Sequence, residues 1–146
     1  MSTLIEVIIV VAIFASLAGL LAVSNADAYR EFIFHNEVST LTTVLAKTRI
    51  QSMNNVCLES SCTDGKSHGV ALFPNRYVVF QGLSYATRDI SQDEEIEANS
   101  RILRSGVSEV VFGQLSGDVN VNGDIHLTDG MRSAVISINN EGRISW

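Results

Sequence analysis

The fold is decided by residues 7–26, VIIVVAIFASLAGLLAVSNA, which contain no charged side chain. Its only interruptions are small or polar residues: Ser16, Gly19, Ser24 and Asn25. A membrane-spanning helix needs about 20 apolar residues, because each residue adds a rise of about 1.5 Å. We therefore predict that residues 1–26 form a hydrophobic segment that can lie in a membrane or in the core of an assembly.

The helix is predicted to continue beyond the apolar segment. Apolar or small side chains recur at steps of four, three, four and three residues, as expected for one stripe on a helix: Phe34, Val38, Leu41, Leu45 and Thr48. No Gly or Pro occurs between Gly19 and Gly65. We predict one helix of about 50 residues, of which residues 27–55 are amphipathic. Its first half needs support from outside the head, first from a membrane and later from neighbouring subunits.

The rest of the chain, residues 68–146, is predicted to be β-rich. Val70, Leu72 and Phe73 indicate a strand, which Pro74-Asn75 turns into a second strand at residues 77–81. Residues 83–100 are polar, and we predict an irregular loop there. The expected fold class is α+β, with an antiparallel sheet packed on the second half of the helix.

The C-terminal part is predicted to be an antiparallel meander. Its four segments, residues 119–121, 125–128, 133–138 and 143–146, are separated by short turn sequences. Ala134, Ile136 and Ile138 alternate onto one face, toward the helix. A loop at residues 122–124 is expected to pair Val121 with Ile125.

Calcium is an alternative explanation of the first turn in this meander. Five oxygen-bearing side chains follow the spacing of a calcium-binding loop: Asp118, Asn120, Asn122, Asp124 and Asp129. The hairpin explains the same residues without a metal, so we expect no cofactor and keep these five as a candidate calcium site.

The charge distribution argues against nucleic acid as a partner. The net charge is −6, and the ten basic residues are scattered singly rather than concentrated on one face. The densest charged segment is acidic, at residues 89–97, and is expected to be a solvated loop or a contact for a basic partner. No basic residue precedes Arg30. An intact signal peptide would carry one before its apolar part, so we expect a chain that has already been processed.

The two cysteines, Cys57 and Cys62, lie in a predicted loop at residues 56–67. Their even number and close spacing in an exported protein favour a disulfide. Two free buried thiols are the alternative. Zinc would need two more ligands, and only His68 lies near.

The beginning of the chain, residues 2–14 with the sequence STLIEVIIVVAIF, resembles the start of type IV pilins and of type II secretion pseudopilins. The end of the chain, residues 142–146 with the sequence GRISW, is more loosely similar to H-type pseudopilins and related minor pilins. The resemblance implies the pilin fold.

In this family four residues usually precede the Glu of the motif, which makes Ser2 the first mature residue and leaves Met1 additional. The resemblance therefore assigns assembly roles to Glu6, Met1 and Ser2. It implies that Glu6 pairs with the amino group of a neighbouring subunit, because a carboxylate in apolar surroundings needs a partner. A Glu that reaches the membrane interface without a partner is the alternative. Gly19 lies in a patch of small residues that either serves helix packing or marks a point of unwinding.

We expect a structural subunit, not an enzyme, that polymerises into a type IV pilus or pilus-like filament. The alternative is an H-type minor pseudopilin at the tip of a type II secretion pseudopilus. A membrane-anchored adhesin or enzyme is a third interpretation. Against an enzyme, the sequence has no nucleophile motif, and no metal-ligand spacing occurs among His35, His68 and His126. The resemblance implies as partners the chain itself, minor pilins, a prepilin peptidase and an inner-membrane assembly platform with a cytoplasmic ATPase. It also implies location in the cytoplasmic membrane before assembly and in an extracellular filament afterwards.

Overall fold

A computed structural model describes residues 3–58 and 65–146, without the side chains of residues 20–26. One helix, α1, has the bounds Leu4–Met53. Its described side chains fall into two parts, residues 4–19 and 27–53. The chain divides into two compact units, Met1–His35 and Asn36–Trp146, and we call the second unit the head.

In the first unit α1 begins directly after Thr3. The Glu6 N–H donates to the Thr3 carbonyl at 2.8 Å, and the Glu6 carboxylate lies in the first turn, where the helix dipole favours negative charge. Within residues 3–19, 27–58 and 65–146, no helix is apolar over a sufficient length to cross a membrane.

The head consists of the last part of α1 and of eight β-strands in two sheets. The strands are β1 His68–Leu72, β2 Arg76–Gln81, β3 Glu94–Glu97, β4 Leu103–Gly106, β5 Glu109–Phe112, β6 Gly123–Thr128, β7 Ser133–Ile138 and β8 Ile144–Ser145. All named strand pairs are antiparallel, in the orders β3-β2-β1-β5 and β4-β6-β7-β8. The predicted α+β class is therefore confirmed.

The predicted stripe of α1 is buried. Phe34, Val38, Leu41, Leu45 and Thr48 each have less than 5% of their surface exposed. The one polar residue of this stripe, Thr48, forms a hydrogen bond within the helix. The Thr48 hydroxyl donates to the Val44 carbonyl at 2.8 Å.

Ser52 joins α1 to both neighbouring strands at one point. Its hydroxyl donates to the Phe112 carbonyl at 2.6 Å and accepts the His68 N–H at 3.1 Å. Because a serine hydroxyl can donate one hydrogen bond and accept others, this one side chain fixes the last turn of α1 against β1 and β5.

The first hairpin follows the prediction. β1 and β2 pair from His68 with Gln81 to Leu72 with Tyr77, across the turn at Pro74-Asn75. Gly69 lies opposite Phe80, and a Cβ at Gly69 would be 2.4 Å from the Phe80 ring. The glycine is required because the ring lies directly over its backbone.

Residues 83–100 are more ordered than predicted. They contain two short 3-10 helices, Tyr85–Thr87 and Ile90–Gln92, and the strand β3, which pairs with β2. The prediction of an irregular loop was wrong because β3 is an edge strand. Its sequence EEIE has one apolar residue, so the alternation that marks a half-buried strand is missing.

The predicted pairing of Val121 with Ile125 was also wrong. Ile125 pairs with Ile136 on one side and with Gly106 on the other, so β4 occupies the edge that residues 119–121 were expected to take. Val119 instead forms an isolated bridge to Phe112. The later part of the predicted meander, β6-β7-β8, is present, and Ile136 and Ile138 are buried as expected.

Candidate assembly surface

A continuous run of exposed apolar side chains lies on the first part of α1. Ten large apolar side chains there are between 46% and 79% exposed: Leu4, Ile5, Val7, Ile8, Ile9, Val10, Val11, Ile13, Phe14 and Leu17. Because successive residues on a helix point about 100° apart, this nearly unbroken run covers every side of α1. Soluble monomers rarely expose an apolar patch of this extent, so the surface is suited to contact with lipid or with other protein.

The surface also has a shallow groove lined by Ile9, Ala12, Ile13, Ser16 and Leu17. The Ser16 hydroxyl donates to the Ala12 carbonyl at 2.8 Å, so it needs no external partner. A Cβ at Gly19 would meet nothing within 4 Å, and α1 is helical at this position. The groove can therefore receive an apolar partner without leaving a polar group unpaired.

Glu6 is the predicted assembly residue, and it lies within this apolar surface. No ion pair of Glu6 occurs in the described part of the chain, and its nearest basic residue along α1 is Arg30. A separation of 24 residues corresponds to about 36 Å of helix. Met1 and Ser2, the other predicted assembly residues, lie outside the described residues.

A buried polar cluster connects α1 to the sheets of the head. Glu37 forms an ion pair with Arg104, and both side chains are less than 10% exposed. The Tyr77 hydroxyl donates to Glu37 Oε1 at 2.5 Å and accepts from Arg104 Nε at 2.7 Å. The Asn99 N–H donates to Glu37 Oε2 at 3.2 Å.

This cluster holds three elements of the head, α1, β2 and β4, in one arrangement. Burial raises the pKa of the Tyr77 phenol far above its ordinary value, and the hydrogen bond to Glu37 adds to the increase. The phenol therefore remains a hydrogen-bond donor at any physiological pH. Sequence reasoning missed the cluster, although Glu37 lies three residues after Phe34 and four before Leu41, inside the apolar stripe. A charged residue at such a position indicates a buried partner.

The cysteine loop is described only at its ends. Cys57 is disulfide-bonded. Cys62, its predicted partner, lies outside the described residues, and the pairing of the two stays a prediction. The Leu58 N–H donates to Gln81 Oε1 at 2.9 Å, which ties the beginning of this loop to the end of β2.

His68 and Gln81 are two further polar residues that are buried in the head. They lie opposite each other in the β1–β2 ladder, and each is at most 1% exposed. Neither ring nitrogen of His68 has a hydrogen-bond partner of normal geometry within the described ranges. Burial lowers the pKa of His68, and a backbone contact with Lys66 opposes this only in part.

The candidate calcium ligands do not converge on one point. Asp124 lies near the start of β6 and Asp129 directly beyond its end, so about 17 Å of extended chain separates them. Asp129 accepts the N–H groups of Met131 at 2.9 Å and of Arg132 at 2.6 Å, and the Arg132 N–H in particular lowers the pKa of the Asp129 carboxyl. Asn120 accepts the Val111 N–H at 3.4 Å. No group of three or more His, Cys, Asp or Glu side chains suited to a metal occurs in the part of the chain that the structure describes.

Several carboxylates of the acidic segment have partners within the head. Glu94 contacts Lys47 at 2.7 Å, and Asp93 contacts Arg88 at 2.8 Å. Asp89 caps the second 3-10 helix, and the hydrogen bonds from Ser91 lower the pKa of its carboxyl. Glu94, Glu95 and Glu97 nevertheless remain exposed.

Comparison with known proteins found no match. No protein-family model, no curated protein and no solved structure matches the chain.

Proposed function

We propose that the chain is a structural subunit that polymerises into a pilus-like filament. The first part of α1 packs in the filament core, and the head forms the outside. The observation that carries this proposal is the exposure of ten large apolar side chains on all sides of α1 between Leu4 and Leu17. A helix that is apolar all round is stable only when lipid or protein covers it.

Two environments can cover this surface, first a membrane and then the core of a filament. Removing one large apolar side chain from water contributes about 1.5–3 kcal/mol, so the surface is held in a membrane before assembly. Lipid is as apolar as a packed protein core, so leaving the membrane requires close packing and an electrostatic gain. The shallow groove between Ile9 and Leu17 supports the packing.

Glu6 supplies the electrostatic gain in this proposal. A carboxylate among apolar side chains is costly unless a cation pairs with it. Along α1 its own chain offers no Lys or Arg side chain within about 36 Å of helix, so we assign the cation to another molecule. The resemblance of residues 2–14 to pilins suggests the amino group of a neighbouring subunit.

The test is the filament yield of Glu6→Ala. The variant removes the carboxylate and leaves a more apolar segment, so it should enter the membrane at least as well as the unaltered chain. Loss of the buried ion pair costs several kcal/mol at each subunit, so filaments should be reduced at least a hundredfold. The measurement compares the sheared-cell fraction with the membrane pool, with Asp27→Ala as a control that removes an exposed carboxylate beyond the apolar segment. Normal filaments from Glu6→Ala would refute the proposal.

A minor subunit at the tip of a secretion pseudopilus is the second candidate. It is favoured by the short closing strand β8, which follows Gly142 at a φ of 70° and pairs with the end of β7. This closure supports the looser similarity of residues 142–146 to H-type pseudopilins. The number of copies per filament separates the two candidates, because a tip subunit occurs once and a main subunit throughout.

A further inference from the structure

Two side chains in the core of the head keep hydrogen-bonding atoms that no protein group satisfies. They belong to His68, at the start of β1, and to Gln81, at the end of β2. Among the residues that the structure describes, no hydrogen-bond partner exists for either ring nitrogen of His68 or for Gln81 Nε2. A buried polar atom without a partner is costly, and native proteins satisfy most such atoms with protein groups or with ordered water.

The two side chains are neighbours on one face of the first sheet. His68 and Gln81 lie directly opposite each other in the β1–β2 ladder. Side chains at directly opposite positions of an antiparallel pair point to the same face, with Cβ atoms about 4.5–5.5 Å apart. This face meets α1, because the Tyr77 hydroxyl, four residues before Gln81, donates to Glu37. The unsatisfied atoms therefore share one small region between the sheet and the helix.

The backbone fixes the orientation of the Gln81 amide. The Leu58 N–H donates to Gln81 Oε1 at 2.9 Å. Rotating the amide by 180° would bring two donors together at Leu58 and lose this bond. Nε2 is therefore the atom of Gln81 that still needs an acceptor.

His68 offers an acceptor, but it does not bond directly to Gln81. Burial lowers the pKa of His68 below its ordinary value of 6.5, so the ring is neutral at pH 7 and has one donor and one acceptor nitrogen. A neighbouring donor and acceptor that form no direct bond can be joined by water, which accepts and donates hydrogen bonds at the same time.

The nearest hydroxyl of α1 is already occupied. Ser52 Oγ accepts the His68 N–H at 3.1 Å and donates its hydrogen to the Phe112 carbonyl at 2.6 Å. It has no second hydrogen for the ring of His68. Because the unsatisfied atoms are buried, a larger ligand would have to displace α1 or the chain at Leu58. These conditions fit a single water molecule.

We propose that one internal water molecule bridges His68 and Gln81. It accepts a hydrogen bond from Gln81 Nε2 and donates one to the unprotonated ring nitrogen of His68. The water lies where the last turn of α1, the β1–β2 hairpin and the chain at Leu58 meet, and it completes the hydrogen bonding there. This inference does not depend on the proposed function.

The test is a structure of the detergent-solubilised full chain, determined at neutral pH and at a resolution that shows ordered water. We expect density for one water at about 2.7–3.2 Å from Gln81 Nε2 and at a similar distance from one ring nitrogen of His68. Direct bonds from these atoms to protein groups, with no water between them, would overturn the proposal. Density without any water beside Gln81 Nε2 would overturn it as well.

His68→Phe provides the matching variant, because it keeps an aromatic ring and removes both nitrogens. An internal water needs about two to four polar partners, so the density should be lost when His68 no longer accepts its hydrogen. The control is His126→Phe, the same substitution at an exposed histidine, which should keep the water. A water that stays fully occupied in His68→Phe would show that His68 does not hold it. If His68→Phe does not fold, the density in the unaltered chain decides the question.

Discussion

The two described parts of α1 have opposite relations to the rest of the chain. Leu17, in the first part, is 52% exposed, whereas Leu45, in the second part, is fully buried in the head. The part of the helix that belongs to the head, residues 36–53, buries Val38, Leu41 and Leu45 in the core of the head. The first part is apolar on every side and has no cover within the first unit. The difference shows that the head completes its own core, whereas in our proposal other molecules cover the first part of α1.

Glu37 and Glu6 follow the same division. Inside the head, Glu37 is paired with Arg104 and Tyr77, and the Ser52 hydroxyl bonds to two strands. In the first part of α1, Glu6 has no ion pair within the described residues. A buried charge is tolerated when it is paired, so the head is self-sufficient in this respect also.

The largest expected effect on the head comes from Arg104→Met. The change leaves the Glu37 carboxylate buried without its cation, which costs about 3–5 kcal/mol in the free energy of unfolding. Chemical denaturation followed by circular dichroism measures the loss. The exposed Arg101 is the matched control, and Arg101→Met should change stability by less than about 0.5 kcal/mol.

The double variant Glu37→Gln/Arg104→Met sharpens this prediction. It removes both charges, so most of the lost stability should return. A double variant that is less stable than Arg104→Met would show that the cluster acts through packing rather than through its paired charges.

The next largest effect on head stability is expected from substitution of Leu45, and Leu17 provides the comparison. Leu45→Ala should lower the free energy of unfolding of the head by about 2–5 kcal/mol, because a cavity forms in a closed core. Leu17→Ala, the same substitution in the first part of α1, should leave head stability unchanged and reduce filament yield. Equal effects of both substitutions on unfolding would break the division between the two regions.

The smallest effect concerns pH and His68. Burial holds the pKa of folded His68 below its ordinary value of 6.5, so the unfolded chain binds more protons as the pH falls below 6.5. The stability that the neutral imidazole contributes is thus complete above pH 6.5 and is lost progressively as the pH falls toward the lowered folded pKa. One such group gives a slope of at most about 1.4 kcal/mol per pH unit.

Denaturation of His68→Leu between pH 5 and 7 measures this contribution. The variant should show a shallower dependence of stability on pH than the unaltered chain. His126→Asn, which changes an exposed histidine, should keep the original dependence. A pH dependence that is identical in His68→Leu would exclude His68 as its source.

The sequence predicted the elements whose pattern is local. The stripe from Phe34 to Thr48 and the β1–β2 hairpin repeat at the period of their own secondary structure, and the structure has both. The α+β class followed from these patterns.

The elements that were missed depend on distant partners. β3 carries one apolar residue and is a strand only because β2 lies beside it. The pairing of Ile125 was wrong because β4, about 20 residues earlier, competes with the adjacent segment for the same edge. The pairing of Glu37 with Arg104 spans 67 residues, a separation at which sequence spacing carries no signal. For the candidate surface, the sequence predicted the apolar run and Glu6, because both are visible in the local pattern of residues.

In our proposal, other copies of the chain cover the first part of α1. The decisive measurement is electron cryomicroscopy of the sheared-cell filaments with helical reconstruction. We expect filaments of this chain in which residues 4–19 lie near the axis, with Glu6 beside a cationic group of a neighbouring copy and the heads outside. Filaments whose subunits contact one another only through their heads, with residues 4–19 in solvent or absent from the axis, would contradict it.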